Sequence, residues 1–117
     1  MATPNYPRYR SGKDIEARFA PLQGTLGCNF EHITAAFGRP TFSVDNNDTF
    51  EGNENCAWHI QFESGETAIL SENREFGNKE DSYEIAKTWK VNSRFPNTHT
   101  WIRQIIRDAN PAETAKG

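Results

Sequence analysis

The run Cys56-Ala57-Trp58-His59-Ile60-Gln61-Phe62 constrains this chain more than any other segment. Its residues Cys56, Trp58, Ile60 and Phe62 alternate with Ala57, His59 and Gln61. A period of two sends successive side chains to opposite faces of a strand, so one face is apolar and the other wet. Glu63-Ser64-Gly65-Glu66 then supplies a short hairpin connection, and Thr67-Ala68-Ile69-Leu70-Ser71 returns as a second strand. A lone hairpin cannot bury its apolar face in water, so the rest of the chain must supply more strands and a cover. A third strand is predicted over residues 83–92, where Tyr83, Ile85, Trp89 and Val91 share one parity. Lys87 breaks that pattern, as a bulge or a snorkelling side chain at the sheet rim would allow.

The cover is predicted to be helical. Phe30, Ile33, Ala36 and Phe37 form one apolar stripe over residues 30–37. Asn29 suits the N-cap, Glu31 suits the positive helix end, Gly38 suits a left-handed C-terminal residue, and Pro40 forbids continuation. A second helix is predicted from a cap at Asn97 or Thr98 to about Ala109, with Trp101, Ile102, Ile105, Ile106 and Ala109 on one stripe. Asn110-Pro111 ends it, and residues 111–117 read as a tail. Between these elements, residues 44–55 read as a polar loop and residues 72–81 as a charged exposed turn. The fold class is therefore α+β: a three- to four-stranded antiparallel sheet with helices packed on one face, forming one domain over residues 25–110. Residues 1–24, with Pro4, Pro7, Pro21 and Gly12, read as an extended N-terminal arm, flexible or ordered by a partner. Within it, residues 11–20 have enough pattern for two helical turns, with Ile15 and Phe19 four apart.

Charge divides the chain. Residues 1–25 carry +2, residues 26–86 carry −9 and residues 87–117 carry +4, for a net −3 over 117 residues. That balance argues against a strongly cationic nucleic-acid binder as the default, while the split favours selective contact with charged partners. Charge on a small domain also serves solubility alone, and that reading stands beside it. No apolar run approaches the roughly 20 residues that span a bilayer. The first eight residues lack the apolar core of an export signal, so the expected setting is the cytoplasm, with Cys28 and Cys56 reduced.

Four side chains have the chemistry of a tetrahedral zinc site: Cys28 and His32, Cys56 and His59. Cys56 and His59 are an odd number apart on a strand and point to opposite faces, so no metal is expected. Asp45, Asn47, Thr49 and Glu51 alternate as calcium ligands do, yet the sixth and twelfth loop positions are Phe50 and Cys56 where glycine and a bidentate acid belong. No nucleophile elbow, phosphate loop or paired Cys-His motif is present, so neither catalysis nor a cofactor is expected. The chain reads as a non-enzyme.

Phe37-Gly38-Arg39-Pro40 closes a helix, Trp58-His59-Ile60-Gln61-Phe62 runs into Gly65 and Ala68-Ile69, and Trp89-Lys90-Val91 precedes a final helix. Over roughly residues 29–107 this combination resembles small α+β accessory proteins encoded in bacteriophage genomes. The resemblance implies a protein that acts inside a bacterial host cell by binding and disabling a host complex. Anti-defence activity, such as anti-CRISPR, or host takeover is the implied role. The matching residues are core positions, so they speak to fold before activity.

On this reading the partner-binding residues are Asp45, Asp48, Glu51, Glu54, Glu72, Glu75, Glu80 and Asp81, with Arg8 and Arg10 of the arm as a second contact. Clustered carboxylates suit a basic groove on a host protein. The alternative is a nucleic-acid or small-nucleotide binder using the basic arm with Lys87, Lys90, Arg103 and Arg107, since cations beside aromatics grip phosphates and stack on bases. A third reading is a virion or oligomer component whose arm laces neighbouring subunits.

Overall fold

The computed structural model describes residues 5–16, 20–43, 56–72 and 88–111. Among these, six strands and two helices follow in the order β1 (Tyr9–Ser11), β2 (Leu22–Gly27), α1 (Phe30–Phe37), β3 (Phe42–Ser43), β4 (Cys56–Phe62), β5 (Thr67–Glu72), β6 (Thr88–Asn92) and α2 (Asn97–Ala109). The strands form one antiparallel sheet in the order β1-β4-β5-β6-β2, with β3 also pairing β4. The α+β class and the antiparallel sheet agree with the sequence reading. The sheet has six strands where three or four were expected, and the additional ones come largely from the segment read as an arm.

The parity of β4 is as predicted. Cys56, Trp58 and Ile60 are 0% exposed and Phe62 is 1% exposed, all on the face that meets the helices. Ala68, Leu70, Trp89, Val91 and Leu26 join them from the neighbouring strands, and Ile33, Phe37, Ile102, Ile105 and Ile106 close the core from above. The hairpin is a three-residue loop in which Phe62 N–H donates to Glu66 O and Gly65 N–H donates to Phe62 O. Gly65 sits at φ 105°, the left-handed position that such a loop reserves for glycine.

α1 begins and ends where the sequence places it. Asn29 is extended at the N-cap, and its N–H donates to Nδ1 of His32 at 3.2 Å. Gly38 takes φ 80° and its N–H donates to Thr34 O. Two buried indoles then tie this helix to the sheet. Trp89 Nε1 donates to Cys28 O at 2.8 Å, just ahead of the helix, and Trp58 Nε1 donates to Gly38 O at 3.0 Å, just behind it. The rings meet edge to face at 5.6 Å, with Phe30 packed 5.8 Å from Trp58. α2 starts at Asn97, but Thr98 donates its Oγ1 proton back to Phe95 O rather than accepting a first-turn amide. At its other end Asn110 Nδ2 donates to His32 O, joining the end of α2 to the start of α1.

The arm reading requires correction. β1 and β2 lie at opposite edges of the sheet, so the chain between them has to cross the face away from the helices. The helix expected over residues 11–20 does not begin there: Ser11 ends β1, the chain turns at Lys13–Asp14 with Ile15 N–H donating to Gly12 O, and residues 17–19 lie outside the described residues. Ile15, 4% exposed, is pressed against this face, its carbonyl accepting from His59 Nδ1 at 3.0 Å. On the far side Ala20 O accepts from Asn92 Nδ2, and Pro21 O accepts from Ser93 N–H. The short β1 and β3 share one edge of β4. At the gap between them His59 N–H donates to Thr41 Oγ1 and His59 O accepts from Gly12 N–H, so no ladder position there loses its partner.

Candidate functional site

Of the acids assigned to partner binding, Asp45, Asp48, Glu51, Glu54, Glu75, Glu80 and Asp81 lie outside the described residues, as does Lys87 of the alternative set. Their anchors are described. The connection 44–55 leaves at Ser43 and re-enters at Cys56, two residues that face each other across β3 and β4. The connection 73–87 leaves at Glu72, which faces Trp89 across β5 and β6, and re-enters at Thr88. Both acidic connections therefore spring from one end of the sheet. Glu63 and Glu66 belong to the opposite, hairpin end. Glu72 is corrected: it is the last residue of β5 rather than part of an exposed turn, and at 4% exposed it presents no carboxylate to a partner.

The basic arm residues are held by their own domain. Arg10 lies opposite Gln61 and spans Asp14 with two bonds of 3.0 and 2.7 Å, with a third to Gln61 Oε1 at 2.9 Å. This pairing raises the Arg10 pKa and holds the Asp14 carboxyl below its ordinary range. Arg8 is exposed, its carbonyl accepting from Glu63 N–H. Around them the segment is fastened on the helix side by aromatic residues. Tyr9 meets Phe37 at 5.3 Å and its hydroxyl donates to Ala36 O, while the Tyr6 hydroxyl donates to Asp108 Oδ2 at 2.8 Å. Burial first, then the bond to Asp108, pushes the Tyr6 phenol from 10.0 up to about 12.

That shift fixes a sign. The folded chain holds the neutral phenol, so its contribution is complete below pH 10.0 and is lost as pH rises towards about 12. Phenol absorbance should show one tyrosine ionising near the top of that interval, with loosening of residues 5–11 over the same range. In Asp108→Asn the ionisation should move down. An unmoved ionisation would remove Asp108 as a cause.

The alternative basic set is distributed over both sides of the sheet. Trp89 and Val91 face the helices, so Lys90 faces away from them, beside Thr25 and Ser71 in register. Arg103 and Arg107, one turn apart, are exposed on α2, on the helix side. Trp89 is 0% exposed and Trp101 packs on Phe62 at 4.8 Å, so neither offers a free ring for base stacking. Of these cations, Lys90 borders β2 through its register partner Thr25, and Arg103 lies one turn beyond His99, whose Nε2 reaches Thr25 O. The β2 edge is hard to read from sequence because Leu-Gln-Gly-Thr-Leu-Gly has little strand propensity of its own. The signal was nonetheless present: residues 20–30 carry no charge, and residues 88–107 carry four bases and no acid.

The metal-type quartet is dispersed. Cys56 is in the core, His59 is on the opposite face, and His32 accepts from Asn29 N–H. Cys28 is half-buried, and burial pushes its thiol from 9.0 up to about 11, far from a reactive thiolate. Among the described residues no three His, Cys, Asp or Glu side chains converge, and no helix is long and apolar enough to cross a membrane. Comparison with protein-family models, curated proteins and solved structures returns no significant match to this chain.

Proposed function

We propose that the chain is a non-enzymatic binding protein that engages a cationic surface of a host protein complex through its acidic connections. The setting is the one the phage-type resemblance implies: the cytoplasm of a bacterial host, with anti-defence, such as anti-CRISPR, or host takeover as the role. The supporting observation is topological. Strand pairing brings the ends of both connections, Ser43 with Cys56 and Glu72 with Thr88, to one end of a rigid sheet. Together these connections hold eight acids and three bases. A concentration of one sign at one end of a small domain steers association with a partner of the other sign. Arg8 remains as an exposed secondary contact, whereas Arg10 is engaged with Asp14 and Gln61.

The test is charge reversal, with Asp45, Asp48, Glu51 and Glu54 changed together to Lys. The wild-type chain should retain a stoichiometric protein partner from nuclease-treated bacterial lysate. The variant should associate with the purified partner about tenfold to a hundredfold more slowly, with an unchanged circular dichroism spectrum. Equal binding by a folded variant removes the acidic-surface reading.

A further inference from the structure

We propose that the β2 edge of the sheet is a docking site for an extended acidic polypeptide segment, which adds to it as a further strand. The direction of the edge groups follows from the ladder. Ser93 N–H donates to Pro21 O, so Ser93 faces β2. Alternation along an antiparallel pair then turns Val91 and Trp89 towards β2 as well, and Lys90 and Thr88 towards β5. Their register partners Thr25 and Gly27 consequently point their N–H and C=O groups out of the sheet. Among the described residues nothing accepts from either N–H. The Thr25 carbonyl accepts from His99 Nε2 at 3.0 Å and keeps its second lone pair. The His99 ring caps the edge at Gly24 and Thr25, while at Gly27 the face away from the helices is clear, a Cβ built there meeting nothing within 4 Å.

Sheet edges are ordinarily protected by charge, proline or a covering element. The strand Leu-Gln-Gly-Thr-Leu-Gly has no charged residue and no proline. Its start is bordered by two exposed apolar side chains, Leu22 at 57% and Phe95 at 39%. The flanks decide the occupant. Lys90 is the cross-strand neighbour of Thr25, Arg94 is exposed just beyond the end of β6, and exposed Arg103 stands one turn beyond His99 on the flank of α2 above the edge. With no acid across residues 20–30 and 88–107, this wall repels a second copy of itself, so β2-to-β2 pairing is disfavoured. Carboxylates alternating along a strand would meet Lys90 on one face and Arg103 on the other. Nucleic acid would use the cations but not the outward amides, and Trp89 offers it no stacking surface.

The full chain, isotopically labelled, would be titrated with a capped peptide alternating Glu and Thr. The controls are the same peptide with Lys for Glu, a version with proline at alternate positions, and oligothymidylate. The acidic peptide should shift the Thr25 and Gly27 amides and slow their hydrogen exchange about tenfold or more. Arg103→Glu, an exposed change, should weaken that binding about tenfold, as should added salt. Thr25→Pro, which removes an outward N–H, should abolish it; if that variant fails to fold, Arg103→Glu still decides. The proposal is overturned if those amides do not respond, or if the proline or Lys peptide binds as well. It is equally overturned if oligothymidylate protects the amides more strongly, or if the chain alone sediments as a dimer with both amides already protected.

Discussion

Trp58→Ala should remove about 3–5 kcal/mol of stability, a large share of the roughly 5–15 kcal/mol that holds a domain of this size folded. The ring is 0% exposed and lies between Trp89, at 5.6 Å, and Phe30, at 5.8 Å. Its removal opens a cavity that the helices cannot close without leaving Trp89. The same substitution strips the Gly38 carbonyl of its 3.0 Å donor, so α1 loses its tie at the C-terminal end. Trp58→Phe separates the two losses. It retains an aromatic ring in the core, and losing the bond to the carbonyl of exposed Gly38 should still cost about 0.5–1.5 kcal/mol. Urea unfolding of the two variants, with Trp101→Phe as a half-buried control, measures both. If Trp58→Phe unfolds with the wild type, the indole N–H does not hold the helix.

Much of this architecture was legible because its signals are local. The alternation through Cys56 to Phe62 fixes the inner face of the sheet, and Gly38 with Pro40 fixes the end of α1. Gly65 fixes the hairpin, and the stripe from Trp101 to Ala109 fixes the buried side of α2. The segment before residue 25 was not legible, for an equally definite reason. β1 has three residues and β3 has two, too few for any period to register. The strand character of β2 comes from its pairing with β6, more than sixty positions away, since Leu-Gln-Gly-Thr-Leu-Gly has little β propensity of its own. Burial of Ile15 likewise depends on the crossing from one sheet edge to the other, a property of topology rather than of neighbouring residues.

The same contrast applies to the candidate surfaces. Charge blocks are visible in sequence, but strand parity decides which side of the sheet each cation occupies. Lys90 and Arg103 are thirteen residues apart and fall on opposite faces, yet both border β2. Glu72 looks like a surface acid among its charged neighbours, and its place at the end of β5 removes it. The 73–87 connection re-enters the sheet at Thr88, directly opposite Gly27 of β2.

Gly24→Ala should destabilise the fold by about 1–3 kcal/mol, opposite in sign to the usual outcome. Where the backbone permits it, replacing glycine by alanine stabilises by about 0.4–1 kcal/mol through the unfolded chain. Gly24 does not have the positive φ that Gly38 and Gly65 have, so its backbone would tolerate alanine. Space is what it lacks. A Cβ there would lie 2.5 Å from Cε1 and 2.7 Å from Nε2 of His99, whose ring rests on this glycine while Nε2–H donates to Thr25 O. The ring must move, and the Thr25 carbonyl loses its donor when it does. Placing the same substitution in a His99→Ala background isolates the cause. With the imidazole gone the clash is gone, and Gly24→Ala should become neutral or mildly stabilising, a coupling of about 1–3 kcal/mol in the double-mutant cycle. Urea midpoints of the four proteins give the answer. If the two changes add to within about 0.5 kcal/mol, His99 does not rest on Gly24 in solution, and the imidazole is not what caps the β2 edge.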